Sequence, residues 1–169
     1  ALVGERVRGI IGVVTHAPFL YDDLTGFENL KFFAGMFGLD NIGERIQEVV
    51  ERMGVGEGLN HRASTMSHGT KKRFSIARAL LHDPLVLLLD EPESGLDQEA
   101  LEMMQKILTD RTKRLQSVLM TTHNLERGMT LGSHLAVLAQ GKIVYKESLD
   151  SVDVSSLRAA YLQYTGVST

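Results

Sequence analysis

Short apolar runs and longer segments with helical spacing alternate along most of the chain. The runs at residues 10–15 and 86–89 are apolar, the first of them rich in β-branched residues, and residues 117–121 form a further strand-sized segment. Continuous runs of this length are typical of strands buried on both faces. Their alternation with helical segments predicts an α/β fold with a mainly parallel sheet.

The helical segments have recognisable beginnings and ends. Thr25 is a candidate N-cap, Glu28 completes a capping box, and Gly38 is a plausible stop. Ser67 is the candidate N-cap of a helix that reaches about residue 82, where the Asp-Pro pair at 83–84 ends it. Apolar spacing predicts further helices at residues 42–53, 98–115 and 157–164. Residues 135–138 and 142–145 flank a Gln-Gly pair and predict a β-hairpin.

The order of these segments predicts one domain over residues 1–169 with an inserted helical part. Residues 1–20 and 83–147 would form the sheet core. Residues 21–82 would form a helical subdomain, because helices interrupt the alternation there, and residues 148–169 would form a C-terminal tail. A chain of 169 residues with 43% hydrophobic content is long enough to bury one substantial core.

Composition excludes several classes of function. The net charge is −3, so no basic excess points to nucleic acid, and no nucleic-acid partner is predicted. The chain has no cysteine, which excludes disulfides and thiolate metal sites. No apolar run approaches the roughly 18 residues needed to span a bilayer.

Two adjacent carboxylates, Asp90 and Glu91, end the apolar run at residues 86–89. The carboxyl ends of parallel strands are where α/β sheets bind ligands. One acid there can hold Mg²⁺ and the next can polarise a water for attack on a phosphoryl group. On this motif alone, a helix cap or surface turn built from Asp-Glu-Pro is an equally good interpretation.

Neighbouring motifs favour the first interpretation. In chain order the sequence has Met-Ser-His-Gly-Thr at 66–70, Leu-Leu-Leu-Asp-Glu-Pro at 87–92, Ser-Gly-Leu-Asp at 94–97 and Thr-Thr-His at 121–123. This order resembles the ATP-binding family of ABC transporters: signature loop, Walker B strand, D-loop and switch histidine. The resemblance implies a P-loop NTPase-like core that uses ATP and Mg²⁺.

The resemblance assigns catalytic roles to three residues. Asp90 would support Mg²⁺, and Glu91 would be the general base that positions the attacking water. His123 would contact the γ-phosphate of ATP and hold the water in place. The resemblance therefore implies an ATPase.

It also implies a site shared between two copies of the domain. Ser67, His68 and Gly69 would contact the γ-phosphate of ATP held by the partner, and Asp97 would bridge the two domains of a head-to-tail dimer. The family's common signature is Leu-Ser-Gly-Gly-Gln, so His68 departs from it. His68 is either an additional donor near phosphate or, as the simpler interpretation, a tolerated bulky substitution.

A second departure lies at His16, where the family carries the Q-loop glutamine that contacts Mg²⁺ and links the nucleotide to the membrane partner. A neutral imidazole is a poorer ligand for this hard cation and would act on Mg²⁺ directly or through water. Histidine here, residues 20–30 and residues 161–166 resemble the haem-exporter, cytochrome c biogenesis subgroup.

The phosphate-binding P-loop of the family is absent from the sequence. The near match at residues 4–9 has the glycine spacing, but isoleucines at 10 and 11 stand where Lys and Ser or Thr are needed. We expect that the N-terminal strands and P-loop precede Ala1 in a longer protein. A relative that never had them is the alternative. By this interpretation the chain alone binds ATP very weakly and does not hydrolyse it.

The family resemblance implies a motor subunit that lies on the cytoplasmic face of the membrane and drives a separate membrane permease. Residues 19–37 would form the docking groove for that permease. Two alternatives stay open: an ABC ATPase of the translation-factor type, and a non-enzymatic remnant that serves regulation or dimerisation.

Overall fold

A computed structural model describes residues 7–166. The chain divides between Thr121 and Thr122 into two compact units. The first contains a parallel sheet and the helices around it, and the second contains a β-hairpin and two helices.

The sheet of the first unit has three parallel strands in the order β1 (Ile11–Val14), β2 (Val86–Asp90) and β3 (Ser117–Thr121). In the register, Val14 lies beside Leu89, and Asp90 lies beside Thr121. All three strands therefore end at the same edge. The predicted strand at residues 10–15 is shorter in the structure because Ile10 belongs to a helical turn at residues 7–10.

Besides the helical turn at residues 7–10, the described part of this unit contains α1 (Gly26–Met36), α2 (Ile42–Met53), α3 (His68–Leu80) and α4 (Gln98–Lys113). Single 3₁₀ turns lie at Gly56–Gly58 and Ala63–Thr65. The predicted caps are present: Thr25 and Glu28 form the capping box of α1, and Ser67 caps α3. These caps satisfy amides that have no partner within the helix, which is why local sequence is enough to place the helix starts.

Phe74 of α3 joins the helices near the start of α1. Its ring is fully buried and lies against two glycines, Gly26 and Gly58. A Cβ on Gly26 would lie 2.5 Å from the Phe74 ring. Aromatic packing against bare backbone therefore sets how closely α3 approaches the start of α1.

The second unit contains α5 (Leu125–Leu131), β4 (His134–Ala139), β5 (Lys142–Ser148), a 3₁₀ turn (Leu149–Ser151) and α6 (Val154–Thr165). Strands β4 and β5 are antiparallel, and Gln140 and Gly141 connect them with positive φ angles of 50° and 76°. Two positive φ values are what a tight hairpin turn requires. The hairpin prediction is confirmed, whereas α5 was not predicted because it is seven residues long and buries none of them.

The α/β class and the parallel sheet predicted from the sequence are confirmed. The division of residues 1–169 into sheet core, inserted helices and tail within one domain stays a prediction. Gly4, the first glycine of the P-loop near match, lies outside the described residues. No helix in residues 7–166 is both long and apolar enough to cross a bilayer.

Candidate nucleotide site

The two predicted carboxylates lie at the edge where the strands end. Asp90 is the last residue of β2, and the hydroxyl of Thr121 on β3 donates to its Oδ1 over 2.6 Å. The backbone N–H of Glu91 donates to the carbonyl oxygen and to Oγ1 of Thr121, both at 3.2 Å. Thr121 therefore holds both acidic residues in place from the neighbouring strand.

Glu91 has a backbone conformation that is unusual for its residue type. Its φ is +42°, in the left-handed region that glycine favours. Such conformations cost on the order of 1–3 kcal/mol and cluster at functional sites. Both acidic residues are exposed to solvent.

The signature turn, residues 67–70, begins α3. Ser67 accepts a hydrogen bond from the N–H of Thr70 at 3.1 Å, and the two hydroxyl oxygens are 2.8 Å apart. Ser67 and His68 are exposed, and Gly69 is half-buried. A helix N-terminus with exposed amides and a hydroxyl suits an anion such as phosphate.

The structure brings the signature turn against the D-loop, residues 94–97, of the same chain. A Cβ on Gly69 would lie 3.0 Å from the carbonyl oxygen of Gly95, and one on Gly95 would lie 2.8 Å from Cε1 of His68. A side chain at either glycine would press against the facing loop. The two loops are therefore in close backbone contact.

Arg73 and Asp97 form a second link between the same two elements. One guanidinium nitrogen of Arg73 is 2.6 Å from each carboxylate oxygen of Asp97. Asp97 also caps α4 by accepting from the N–H of Ala100 at 2.9 Å. The amide of Ala100, followed by Arg73, lowers the pKa of Asp97 below its usual value, so this carboxylate is charged at neutral pH.

Lys72 links α3 to the carboxylate edge of the sheet. Its side chain is 5% exposed, and its ammonium donates to the carbonyl oxygen of Thr15 at 3.3 Å. Burial lowers the pKa of Lys72, and attraction by Asp90, Glu93 and Glu91 opposes that shift. Two of these three acidic residues, Asp90 and Glu91, are those that the sequence predicted for the site.

The sequence prediction assigned no role to Lys72 or Arg73. A signal was present, since residues 71–73 are all basic and lie in the first turns of α3, where the helix dipole favours negative charge. Such a run at a helix start indicates nearby acidic residues. The third member, Lys71, pairs with Asp22 at 3.1 Å.

The two remaining predicted residues, His16 and His123, lie in loops that follow strands of the sheet. His16 is exposed, in the turn that follows β1, at the same edge as the ends of β2 and β3. His123 follows β3 and belongs to the second compact unit. Its predicted contact with the γ-phosphate of ATP therefore stays a prediction, as does the predicted Mg²⁺ contact of His16.

The carboxylate edge fits a share in a Mg²⁺–nucleotide site. Residues 7–166 contain no group of three or more His, Cys, Asp or Glu side chains arranged to hold a metal ion unaided. Mg²⁺ that accompanies a nucleotide needs only one or two carboxylates, because phosphate and water oxygens supply the other ligands. Exposed Asp90, oriented by Thr121, meets that requirement, whereas the imidazole of His16 is the poorer ligand.

A parallel sheet with two carboxylates at its edge, and a helix N-terminus packed on the following loop, define an α/β protein of the nucleotide-binding type. The profile of the ABC transporter family matches residues 3–94, and the chain belongs to this family, as an ATP-binding domain.

Two curated relatives and one solved structure illustrate the similarity. The chain is 31% identical to the ABC transporter ATP-binding protein NatA of Bacillus subtilis (strain 168), over 97% of this chain and 66% of NatA. It is 31% identical to a fluoroquinolones export ATP-binding protein of Mycobacterium tuberculosis, over 92% of this chain and 52% of that protein.

The fold is also similar to that of the ATP-binding cassette MJ0796, solved as a dimer in a post-hydrolysis state with ADP and Pi. The TM-score is 0.76 and the sequence identity 23%, over 88% of this chain and 66% of that one. This chain therefore spans between half and two thirds of the length of these three proteins.

Proposed function

We propose that this chain supplies the hydrolytic and partner-facing part of an ATP-driven motor subunit of an ABC transporter. The observation that carries the proposal is the contact of the signature turn with the D-loop directly after the carboxylates of β2. In such a motor, ATP binding closes a head-to-tail dimer and hydrolysis reopens it.

In the proposed mechanism each side chain has one task. Asp90 holds Mg²⁺, which when bound neutralises charge on the phosphates. Glu91 accepts a proton from the attacking water and orients it, and His123 contacts the γ-phosphate. Ser67, with the amides at the start of α3, faces ATP held by the partner domain, since a helix N-terminus stabilises an anion.

Replacement of Glu91 by glutamine in the complete protein tests the mechanism. Glutamine keeps the size of the side chain but cannot accept the proton, so ATP hydrolysis should fall by at least about 100-fold. ATP-dependent dimerisation, measured by size-exclusion chromatography, should remain. Glu102→Gln, on the exposed side of α4, is the matched control and should change neither. Normal hydrolysis by the Glu91 variant would contradict the proposed role.

The 169-residue chain alone should be inactive. Its sequence has no Gly-Lys-Ser/Thr element to hold the β- and γ-phosphates, and this element supplies most of the phosphate contacts in a P-loop protein. Isothermal titration with Mg-ATP should therefore show at most weak binding. Mg²⁺-dependent ATPase activity of the isolated chain would overturn this expectation.

We propose a membrane permease as the partner, with the chain on the cytoplasmic face of the membrane. The support is an exposed aromatic cluster beside α1, defined as Phe19, Tyr21, Phe32 and Phe33. Phe19, Tyr21 and Phe32 are 55%, 51% and 42% exposed. Tyr21 meets Phe32 edge-on at 5.0 Å, and the guanidinium of Arg78 lies 5.0 Å from the Phe33 ring. Large exposed apolar patches mark interaction sites.

A pull-down with the permease tests this surface. Phe19→Ser combined with Tyr21→Ser should release the permease from the complete protein without loss of ATP-dependent dimerisation. The exposed Leu115, remote in sequence from the cluster and 94% exposed, offers the control Leu115→Ser. Retention of the permease by the double variant would contradict the docking assignment.

We also propose a subgroup, and two alternatives to a transport function stay open. The haem-exporter subgroup rests on His16 and residues 20–30, and haem-dependent stimulation of ATP hydrolysis by the complete transporter tests it. The translation-factor and non-enzymatic alternatives predict no permease in the complex, so the same pull-down separates them from a transport function.

A further inference from the structure

His68 contacts the D-loop at Gly95, a residue whose φ is +77°. A Cβ added to Gly95 would lie 2.8 Å from Cε1 of the His68 ring and closer still to Nδ1. Carbon atoms that are not bonded to each other pack at about 3.5–4.0 Å. The ring of His68 therefore occupies the space that a side chain at residue 95 would need.

Gly95 is also held on its carbonyl side. Its carbonyl oxygen would lie 3.0 Å from a Cβ on Gly69, so the backbone of the signature turn sits directly against it. Two residues further on, Asp97 is bound by Arg73 of the same helix, with two contacts of 2.6 Å. The D-loop is thus attached to α3 at two points, one of them formed by His68.

We propose that His68 is a positioning residue that fixes the D-loop on the signature turn, so that the two elements move as one body. A glycine at residue 68, as in the common signature, has no ring to fill this space. The functional consequence rests on the proposed function: the turn and the D-loop are the two elements assigned to the partner domain, and His68 would set their relative position.

A double-mutant cycle on the 169-residue chain tests the contact. Gly95→Ala should destabilise the folded chain for two reasons: residue 95 has a positive φ of 77°, and the new Cβ would clash with His68. Gly38→Ala is the matched control, because Gly38 has a φ of 66° in the same compact unit and a Cβ there would meet nothing within 4 Å. It therefore reports the backbone cost alone.

With His68 present, Gly95→Ala should raise the equilibrium constant for unfolding in urea at least about fivefold more than Gly38→Ala does. In the His68→Ala background the two substitutions should cost the same. An equal cost of Gly95→Ala in both backgrounds would overturn the proposal.

Hydrogen exchange provides a measurement that keeps Gly95 intact. The amides of Ser94 and Leu96 donate to the carbonyl oxygens of Glu91 and Glu93, both at 3.2 Å. In His68→Ala these two amides should exchange at least about fivefold faster, since the loop opens more often without the ring. The amide of Leu39, bonded to Ala34 at 3.1 Å, should be unchanged. Unchanged exchange at Ser94 and Leu96 would show that His68 does not fix the D-loop.

ATP-driven dimerisation of the complete protein tests the consequence. His68→Ala should raise the ATP concentration needed for dimerisation at least about fivefold, and ATP binding to the monomer should not change. If the native protein dimerises with ATP and the variant does so equally well, the positioning role is wrong. If the native protein never dimerises with ATP, the proposed function is wrong. The double-mutant cycle and the exchange rates would then still test whether His68 fixes the D-loop on the signature turn.

Discussion

Gly12, in the middle of β1, should not tolerate even a methyl group. A Cβ at this residue would lie 2.5 Å from the carbonyl oxygen of Ala79, 2.8 Å from Cγ of Pro84 and 2.9 Å from Cδ1 of Leu87. All three distances are well below ordinary contact, and the closest atom belongs to the backbone of α3, which cannot rotate away. Strand and helix would have to separate by several tenths of an ångström.

Overpacking of this kind typically costs about 1–3 kcal/mol. We therefore expect Gly12→Ala to lower the free energy of unfolding by that amount, measured by urea denaturation followed by circular dichroism. The dependence of this free energy on urea concentration should change little. Gly35→Ala is the control, because a Cβ there meets nothing within 4 Å and alanine favours the helix by up to about 1 kcal/mol. If Gly12→Ala lies within about 0.5 kcal/mol of the parent, the described packing of α3 on β1 is wrong.

Three further predictions concern residues of the same unit. Burial lowers the pKa of His82 below its usual 6.5, so the unfolded chain takes up the proton first. Stability should therefore fall as the pH drops below about 6.5, and His82→Gln should weaken this dependence in denaturation curves at pH 5 to 8; an unaltered pH profile would contradict it. Lys72→Met should not lower the free energy of unfolding at pH 7 by more than about 1 kcal/mol, because burial of the ammonium outweighs its attraction to the carboxylates. A larger loss would contradict this balance. Lys71→Met should also cost at most about 1 kcal/mol, because its ion pair with Asp22 is exposed. Thr25→Ala should cost about 0.5–2 kcal/mol in thermal unfolding, and Thr25→Ser should restore most of it, since only serine keeps the capping oxygen.

Local sequence was enough to predict the helix starts and the class of fold. Thr25 and Ser67 cap helices because a side-chain oxygen three residues before an amide can satisfy it without help from the rest of the chain. The strands were predicted from short, apolar runs, which are typical of strands buried on both faces. The structure confirms the strands but not the burial of both faces, because Val13 of β1 and Leu119 of β3 are 38% and 66% exposed. The segment ends were not predicted to the residue: Ile10 is helical, although its apolar side chain suits the strand that follows.

The sequence also predicted the acidic residues of the site, but it did not predict the residues that contact them. Asp90 and Glu91 stand out because charge rarely ends a buried strand without a purpose. That Thr121 orients both depends on the register of β2 against β3, which local spacing does not encode. The short helix α5 was missed for a related reason: it buries no residue, so it leaves no apolar pattern.

The sequence alone thus determined the α/β class, the helix caps and the ordered motifs of an ABC ATP-binding domain, because each depends on residues close together in the chain. The tertiary structure decided that Lys72 meets Thr15, that Arg73 holds Asp97, and that His68 lies on Gly95. These contacts join residues far apart in the chain. Such pairs meet only when whole elements pack, and the packing of α3 between β1 and the D-loop is a property of the assembled core.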